Sequence, residues 1–64
     1  MEQETIYFRK MYPIGCKVVF LPQGCSSGIM GKITSYFSIK SVCIDDIHGH
    51  SWILPNKKII KPIN

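Results

Sequence analysis

The sequence has few acidic residues, few cysteines and no long apolar run. Only four of its 64 residues are Asp or Glu, against eight Lys or Arg, so its net charge is +4. A chain of this length forms one small domain, which excludes a two-domain enzyme. No stretch approaches the roughly 18 apolar residues that span a bilayer, and no apolar run follows the acidic N-terminus as in a signal peptide. We therefore expect a cytoplasmic protein that does not cross a membrane.

Cysteine is too scarce and too irregularly spaced to predict a disulfide framework or a zinc site. Cys16, Cys25 and Cys43 are an odd number, whereas small secreted scaffolds usually have an even number. Together with His48 and His50 they still lack the close C-x2-C or H-x3-H pairs of zinc knuckles. We expect reduced thiols, no bound metal and no cofactor.

Residues 1–12 form a separate N-terminal arm, which contains two of the four acids and no Gly or Pro. Its apolar residues pair at helical spacing, as Tyr7 with Met11 and Phe8 with Tyr12, but Ile6 and Phe8 also alternate as in a strand. Helix and strand both remain open for this arm.

Residues 13–64 are predicted to form an all-β domain. Short β-branched runs, separated by Gly, Pro and Ser, predict strands at residues 17–21, 29–38, 42–46, 51–54 and 59–61. Gly31 marks a bulge or a close approach to a neighbour, Gly49 marks a tight hairpin, and one 3₁₀ turn fits before Ile59. Five such strands predict a closed or half-closed antiparallel barrel.

Alternation along these strands sorts core from surface. It predicts that Tyr36 points outward, that Trp52 lies at the margin of the core, and that the core consists of Val18, Phe20, Ile33, Val42, Ile44, Leu54 and Ile59. The remaining apolar residues exceed what a solitary monomer needs, which indicates a contact surface or a self-associating edge. The candidate protein contacts are Val19, Leu21, Tyr36, Phe37, Trp52 and Ile53.

The glycine spacing resembles that of a known family. Gly15-x-x-Val18-x-Phe20, then Gly24, then Gly28-x-x-Gly31-x-Ile33, is similar to the motif of KOW and related SH3-like barrels. Residues 52–59 resemble the end of an SH3 barrel, where a strand runs through a proline and a 3₁₀ turn into the last strand. Residues 12–15 look like the start of short phage and prophage proteins of SH3-like fold. The resemblance implies a five-stranded SH3-like barrel that binds or inhibits a host protein.

Two functions of SH3-like chains do not carry over to this sequence. Lys58 stands where peptide-binding SH3 domains have an aromatic residue, and no ALYDY-like segment exists, so proline-rich peptides are not the expected ligand. Plasmid-borne type II dihydrofolate reductases are similar in length and work as tetramers. Their Val-Gln-Ile-Tyr stretch is replaced by Ser51-Trp52-Ile53-Leu54, without the glutamine and tyrosine. A reductase-like homo-oligomer stays the last alternative.

No residue pattern predicts catalysis. His48 and His50 flank Gly49 after Asp45 and Asp46, but no nucleophile or orienting partner stands at a fixed spacing. Cys25 lies in a Gly- and Ser-rich loop that lacks the helix and lysine of a phosphate-binding loop. We interpret both segments as ordinary turns and expect a protein that is not an enzyme.

The basic residues support a second binding hypothesis. A lysine-rich barrel face with interleaved aromatics can hold a nucleic-acid backbone by phosphate neutralisation and base stacking. The candidate nucleic-acid contacts are Lys17, Lys32, Lys57, Lys58 and Lys61. The sequence thus predicts a small binding module whose partner is a host or phage protein or, alternatively, a nucleic acid.

Overall fold

The computed structural model of the chain describes residues 3–63. In chain order it contains a helix α1 (Gln3–Met11), the strands β1 (Lys17–Phe20), β2 (Ile29–Ser38), β3 (Ser41–Asp46) and β4 (Ser51–Pro55), a 3₁₀ turn (Asn56–Lys58) and strand β5 (Ile59–Pro62). The all-β class, the five strands and the 3₁₀ turn before the last strand are confirmed. The predicted strand ends agree to within one residue because Pro and Gly residues terminate most of the strands.

The five strands form one antiparallel sheet in the order β4-β3-β2-β1-β5. β4 and β5 lie at opposite edges and are not paired with each other, so the pairing leaves the sheet open where the sequence suggested a barrel. Pro55 ends β4 and Pro62 ends β5. Proline has no backbone N–H to offer to a further strand, and both edges are therefore blunted at these positions.

The core contains the seven apolar residues that alternation predicts. Val18, Phe20, Ile33, Val42, Ile44, Leu54 and Ile59 are all buried and form one cluster. Trp52 is half-buried at the margin of this cluster, as predicted, with its ring 6.1 Å from that of Phe20. Strand alternation places these side chains on one face of the sheet, which leaves the other face to solvent.

Gly31 lies where β1, β2 and β3 come together. An ideal Cβ on this residue would be 2.7 Å from the carbonyl oxygen of Asp45 and 2.9 Å from the ring of Phe20. Its φ is not positive, and the pairing of β2 with β1 and β3 is regular at this residue. Of the two roles considered for Gly31, the structure therefore shows the close approach and not the bulge.

The N-terminal arm contains a helix. One side of α1 faces the sheet, where Thr5 is buried and Phe8 and Tyr12 pack on the core with their rings 4.9 Å apart. The opposite side exposes Ile6 and Tyr7. Of the two patterns in this arm, the i, i+4 spacing of Phe8 and Tyr12 was thus the one that correctly indicated a helix. Within residues 3–63, no helix has the length and apolar character needed to cross a membrane.

The prediction that Tyr36 points outward is wrong. The pairing of β2 with β3 shifts between Ile33 and Ser35, so that one extra residue, Thr34, enters β2. A bulge of this kind reverses the alternation of the residues that follow it, here up to a second shift between Tyr36 and Ser38. Tyr36 consequently lies opposite the core residue Val42 and packs half-buried against the core.

Candidate functional site

The solvent side of the sheet, here called the outer face, brings together most of the predicted contact residues. Strand pairing places Lys17 opposite Lys32 and Val19 opposite both Met30 and Lys61. Further along the sheet, Cys43 lies opposite Ser35 on one side and Ile53 on the other. The outer face comprises Lys17, Val19, Met30, Lys32, Ser35, Phe37, Cys43, Asp45, Ser51, Ile53 and Lys61.

One half of the outer face is basic. Lys17 and Lys32 are exposed and directly opposed on neighbouring strands, and Lys61 is exposed on the far side of Val19. Within the described part of the chain, none of these ammonium groups pairs with a carboxylate. Asp45 lies opposite Lys32, but its Oδ1 accepts a 2.7 Å hydrogen bond from the Ser51 hydroxyl. This half of the face therefore has an excess of positive charge. Directly opposed like charges such as Lys17 and Lys32 destabilise a sheet.

The other half of the outer face is apolar. Ile53 on β4 is 60% exposed and Phe37 at the end of β2 is 63% exposed, both of which are high for side chains of this size. Half-buried Cys43 lies beside Ile53 on the adjacent strand. On the basic half, Met30 is also exposed and Val19 is half-buried. The outer face therefore combines exposed apolar area with cations, and Met30 is a member that the sequence analysis did not identify.

Tyr36, a candidate contact, is engaged inside the molecule. Its hydroxyl donates to the carbonyl oxygen of Tyr12 at 2.7 Å and lies 3.2 Å from that of Arg9. The Arg9 guanidinium lies over the Tyr36 ring, 4.6 Å from its centroid. Burial raises the pKa of Tyr36, although the nearby Arg9 charge acts in the opposite direction. Both the ring and the hydroxyl thus hold α1 against the sheet and are not offered to a partner.

Trp52 is engaged in a similar way. Its Nε1–H donates to Asp46 Oδ2 at 2.9 Å, and its ring meets that of Phe20 edge to face. Phe37 is therefore the only one of the three aromatic candidates whose ring is mostly exposed. A surface that stacks nucleic-acid bases needs several such rings.

The remaining candidates lie away from the outer face. Leu21 is half-buried, and its N–H donates to the carbonyl oxygen of Lys58 at 2.9 Å. Lys57 and Lys58 belong to the 3₁₀ turn, where Lys58 is half-buried and Lys57 is exposed near α1. The five predicted basic contacts thus divide into three on the outer face and two on the turn.

The hairpin tip between β3 and β4 is organised by Asp46. This buried carboxylate accepts bonds through Oδ1 from the backbone N–H groups of His48, at 2.8 Å, and His50, at 2.9 Å. The hydrogen bond from Trp52 is the main cause that holds the pKa of Asp46 below its ordinary value of 3.8, and the two backbone bonds act in the same direction. Gly49 has a φ of +85°, as the predicted hairpin requires.

The candidate histidines lie at the hairpin tip, and Cys25 lies in the loop between β1 and β2. His48 and His50 are exposed, and His50 Nδ1 lies 3.9 Å from Asp46 Oδ2. Among residues 3–63 no group of three or more His, Cys, Asp and Glu side chains could hold a metal ion. Cys25 is an exposed free thiol in the loop between β1 and β2. The geometry fits the interpretation of both segments as turns, and Asp46 is the residue whose role the sequence analysis missed; an Asp two residues before a turn amide is its recognisable signal.

Comparison with known proteins assigns no family. No protein-family model matches the chain, and no curated protein or solved structure matches it significantly. The geometry itself defines the class, which is a small all-β domain with one helix and a mixed basic and apolar sheet face.

Proposed function

We propose that the chain is a non-enzymatic binding module of SH3-like architecture that binds an acidic protein through its outer face. The architectural part is supported by the strand order β4-β3-β2-β1-β5 and by the 3₁₀ turn between β4 and β5, because the resemblance implies the same order of elements. The resemblance to short phage proteins further implies a bacterial protein in the cytoplasm as partner, which the module blocks or assists.

One observation carries the choice of partner. The outer face places three lysines, Lys17, Lys32 and Lys61, none paired with a carboxylate of residues 3–63, beside exposed apolar side chains on the same sheet. An acidic surface would relieve the repulsion between Lys17 and Lys32, and an apolar group next to it would cover Ile53 and Phe37. Charge complementarity and apolar burial then act together, as they do at protein interfaces.

The same geometry makes a nucleic acid the weaker candidate. Tyr36 and Trp52 are both engaged with the interior, so of the three aromatic candidates only Phe37 exposes most of its ring to a base. The three outer lysines would contact phosphates, but the apolar half of the face would remain uncovered. A protein partner accounts for both halves of the face.

Affinity capture with paired variants tests this function. The chain is immobilised and exposed to a nuclease-treated bacterial lysate, in parallel with Lys17→Glu on the basic half and Ile53→Asp on the apolar half. Lys10→Glu on the exposed side of α1 is the matched control, because it makes the same charge change away from the outer face. We expect one acidic protein to be retained by the wild type and the control and to be lost with both face variants.

A salt titration with nucleic acid completes the test. Binding of the captured protein should weaken only moderately with salt because apolar contacts contribute, whereas phosphate-driven binding falls steeply. A short duplex DNA and a single-stranded oligonucleotide are titrated as probes. If either of them binds more tightly than any captured protein, or if the two face variants retain the protein unchanged, the proposed function is wrong.

A further inference from the structure

Strand β4 is an edge of the sheet that is poorly protected against pairing with another strand. Exposed edges in native proteins are usually protected by charged side chains, prolines or bulges. β5, at the opposite edge, has all three, because it contains Lys61 and Pro62 and its register with β1 shifts between Val19 and Phe20. β4 has no charged residue, its register with β3 is regular, and its single proline, Pro55, stands at its end.

The backbone groups of β4 point alternately toward β3 and toward the free edge. The Asp46 N–H donates to the carbonyl oxygen of His50 at 2.8 Å, so every second residue from His50 onward bonds to β3. The N–H and C=O groups of Ser51 and Ile53, and the C=O of Pro55, therefore point away from β3. These three residues are exposed, and no strand of residues 3–63 pairs with β4 on this side. The edge thus offers donors and acceptors at the spacing of an antiparallel strand.

The charge distribution indicates which strand fits this edge. An acidic segment would meet no cation on β4, because the lysines of the outer face lie on β1, β2 and β5. Two copies of the chain that pair through β4 would keep their β2 strands five strand spacings of about 4.8 Å apart. This separation of roughly 24 Å exceeds the Debye length of about 8 Å at physiological salt. A second copy can therefore approach this edge despite its net charge of +4.

We propose that two copies of the chain pair antiparallel through β4, about a two-fold axis at Ile53, and form one continuous sheet. Ile53 exchanges both backbone hydrogen bonds with Ile53 of the second copy, and the Ser51 N–H donates to the carbonyl oxygen of Pro55 of that copy. The register suits the proline, because it leaves only the Ser51 carbonyl oxygen, at the end of the edge, to water. The exposed side chain of Ile53 packs against its counterpart, which covers apolar area.

Sedimentation equilibrium and amide hydrogen exchange of the full chain test the proposal. An edge of five residues is small against the roughly 800 Å² per partner of a standard interface, so we expect a weak dimer. The mass should rise from 7.3 kDa toward twice that value as the concentration rises from about 10 µM to about 1 mM. Protection of the Ser51 and Ile53 amides should increase at least about threefold over this range, while that of Ile60 on β5 should not change.

Two variants of β4 and one matched control locate the contact. Ser51→Pro removes a donor that points to the free edge and takes none from the pairing with β3. Ile53→Lys adds the charge that protected edges have and opposes two like charges across the two-fold axis. Ile60→Lys makes the same change at a similarly exposed isoleucine on the opposite edge. We expect both β4 variants to remain monomeric at about 1 mM, and the control to dimerise like the wild type. Circular dichroism checks folding, and Ile53→Lys decides alone if Ser51→Pro does not fold.

Three outcomes would overturn the proposal. The first is a monomer at 1 mM or a dimer that the folded β4 variants retain, and the second is protection that appears on β5 instead of β4. The third is protection of Ser51 and Ile53 only after addition of the protein captured by the outer face, which would make a strand of that partner the one that pairs with β4. Self-association is measured on the chain alone, whereas capture uses a dilute immobilised chain, so either proposal can fail without the other.

Discussion

Two residues determine how closely the strands approach one another and how the hairpin between β3 and β4 closes. Gly31 allows the backbone of β2 to lie against Phe20 and Asp45, and a Cβ there would be 2.7 Å from the side chain of Ile44. Asp46 replaces the missing backbone partners of the turn between β3 and β4 with its own carboxylate. The missing side chain of Gly31 leaves room for its neighbours, and the carboxylate of Asp46 accepts the hydrogen bonds of the turn.

Gly31→Ala should destabilise the domain by about 1–3 kcal/mol, the usual cost of overpacking a core. The nearest atoms are a carbonyl oxygen and two buried core side chains, none of which can move away freely. Urea unfolding followed by circular dichroism measures the loss. Gly24→Asn is the control, since Gly24 has a φ of +86° that Asn tolerates and open space around its Cβ position. Equal unfolding midpoints for Gly31→Ala and the wild type would contradict the close approach.

Asp46 should make the domain sensitive to acid. Its folded pKa lies below the ordinary value of 3.8, mainly because of the hydrogen bond from Trp52. The ionised carboxylate therefore stabilises the folded state fully at pH values above 3.8. The contribution is lost as the pH falls below 3.8 and through the folded pKa, where the carboxylate takes up a proton. Urea midpoints measured from pH 7 downward should therefore fall below about pH 4 in the wild type.

Asp46→Asn isolates this effect. The amide Oδ1 can still accept from His48 and His50, but its NH₂ faces the donating Nε1–H of Trp52, so stability should drop at neutral pH and depend less on acid. Asp45→Asn is the control, because that side chain is exposed and its hydrogen bond within residues 3–63 is with the Ser51 hydroxyl and not with the turn. If both variants show the same pH dependence as the wild type, Asp46 does not organise the hairpin.

At the scale of elements, α1 depends on the sheet for its position. Its last carbonyl oxygens have no partners within the helix, and the Tyr36 hydroxyl, reaching from β2, donates to that of Tyr12 and lies near that of Arg9. Phe8 and Tyr12 add apolar contact with the core. A helix of nine residues is too short to be stable alone, so these contacts decide whether it forms.

Tyr36→Phe should release α1 while the sheet stays folded. Removal of the hydroxyl takes a donor from the end of the helix at a cost of about 0.5–1.5 kcal/mol. Hydrogen exchange at the Tyr12 amide, which bonds to the carbonyl oxygen of Phe8, should accelerate, whereas the Ile33 amide should stay protected. Tyr7→Phe makes the same chemical change on the exposed side of α1 and should alter neither rate. Unchanged exchange at Tyr12 would show that the hydroxyl does not hold the helix.

The elements also show what a sequence can and cannot reveal. Strand positions and the seven core residues are predictable because turn residues interrupt runs of period two. The extra residue at Thr34 leaves only a weak trace in that pattern, a polar Ser35 where a regular strand would place a second inward residue after Ile33, and Tyr36 was therefore placed on the wrong face. Lys17 and Ile53 were found individually, but only strand pairing shows that they share a surface.

At the scale of the whole molecule, part of the positive charge lies where it costs stability. The chain has a net charge of +4, and Lys17 lies directly opposite Lys32 without a carboxylate partner in residues 3–63. A domain of this size has a total stability of roughly 3–10 kcal/mol, so even a small repulsion matters. An unfavourable pair on an exposed face is the arrangement expected of a surface that is completed by an acidic partner.

Lys17→Glu should therefore stabilise the isolated domain while it abolishes binding. The substitution replaces a repulsive cross-strand pair by an attractive one with Lys32, worth about 0.2–1 kcal/mol, and thermal unfolding should show the gain. Lys10→Glu lowers the net charge equally, from +4 to +2, but places an acid in the last turn of α1, where the helix dipole disfavours it. The control should thus bind normally and gain no stability. A destabilised Lys17→Glu would mean that the two lysines are already compensated in the free protein, and the charge argument for an acidic partner would fail with it.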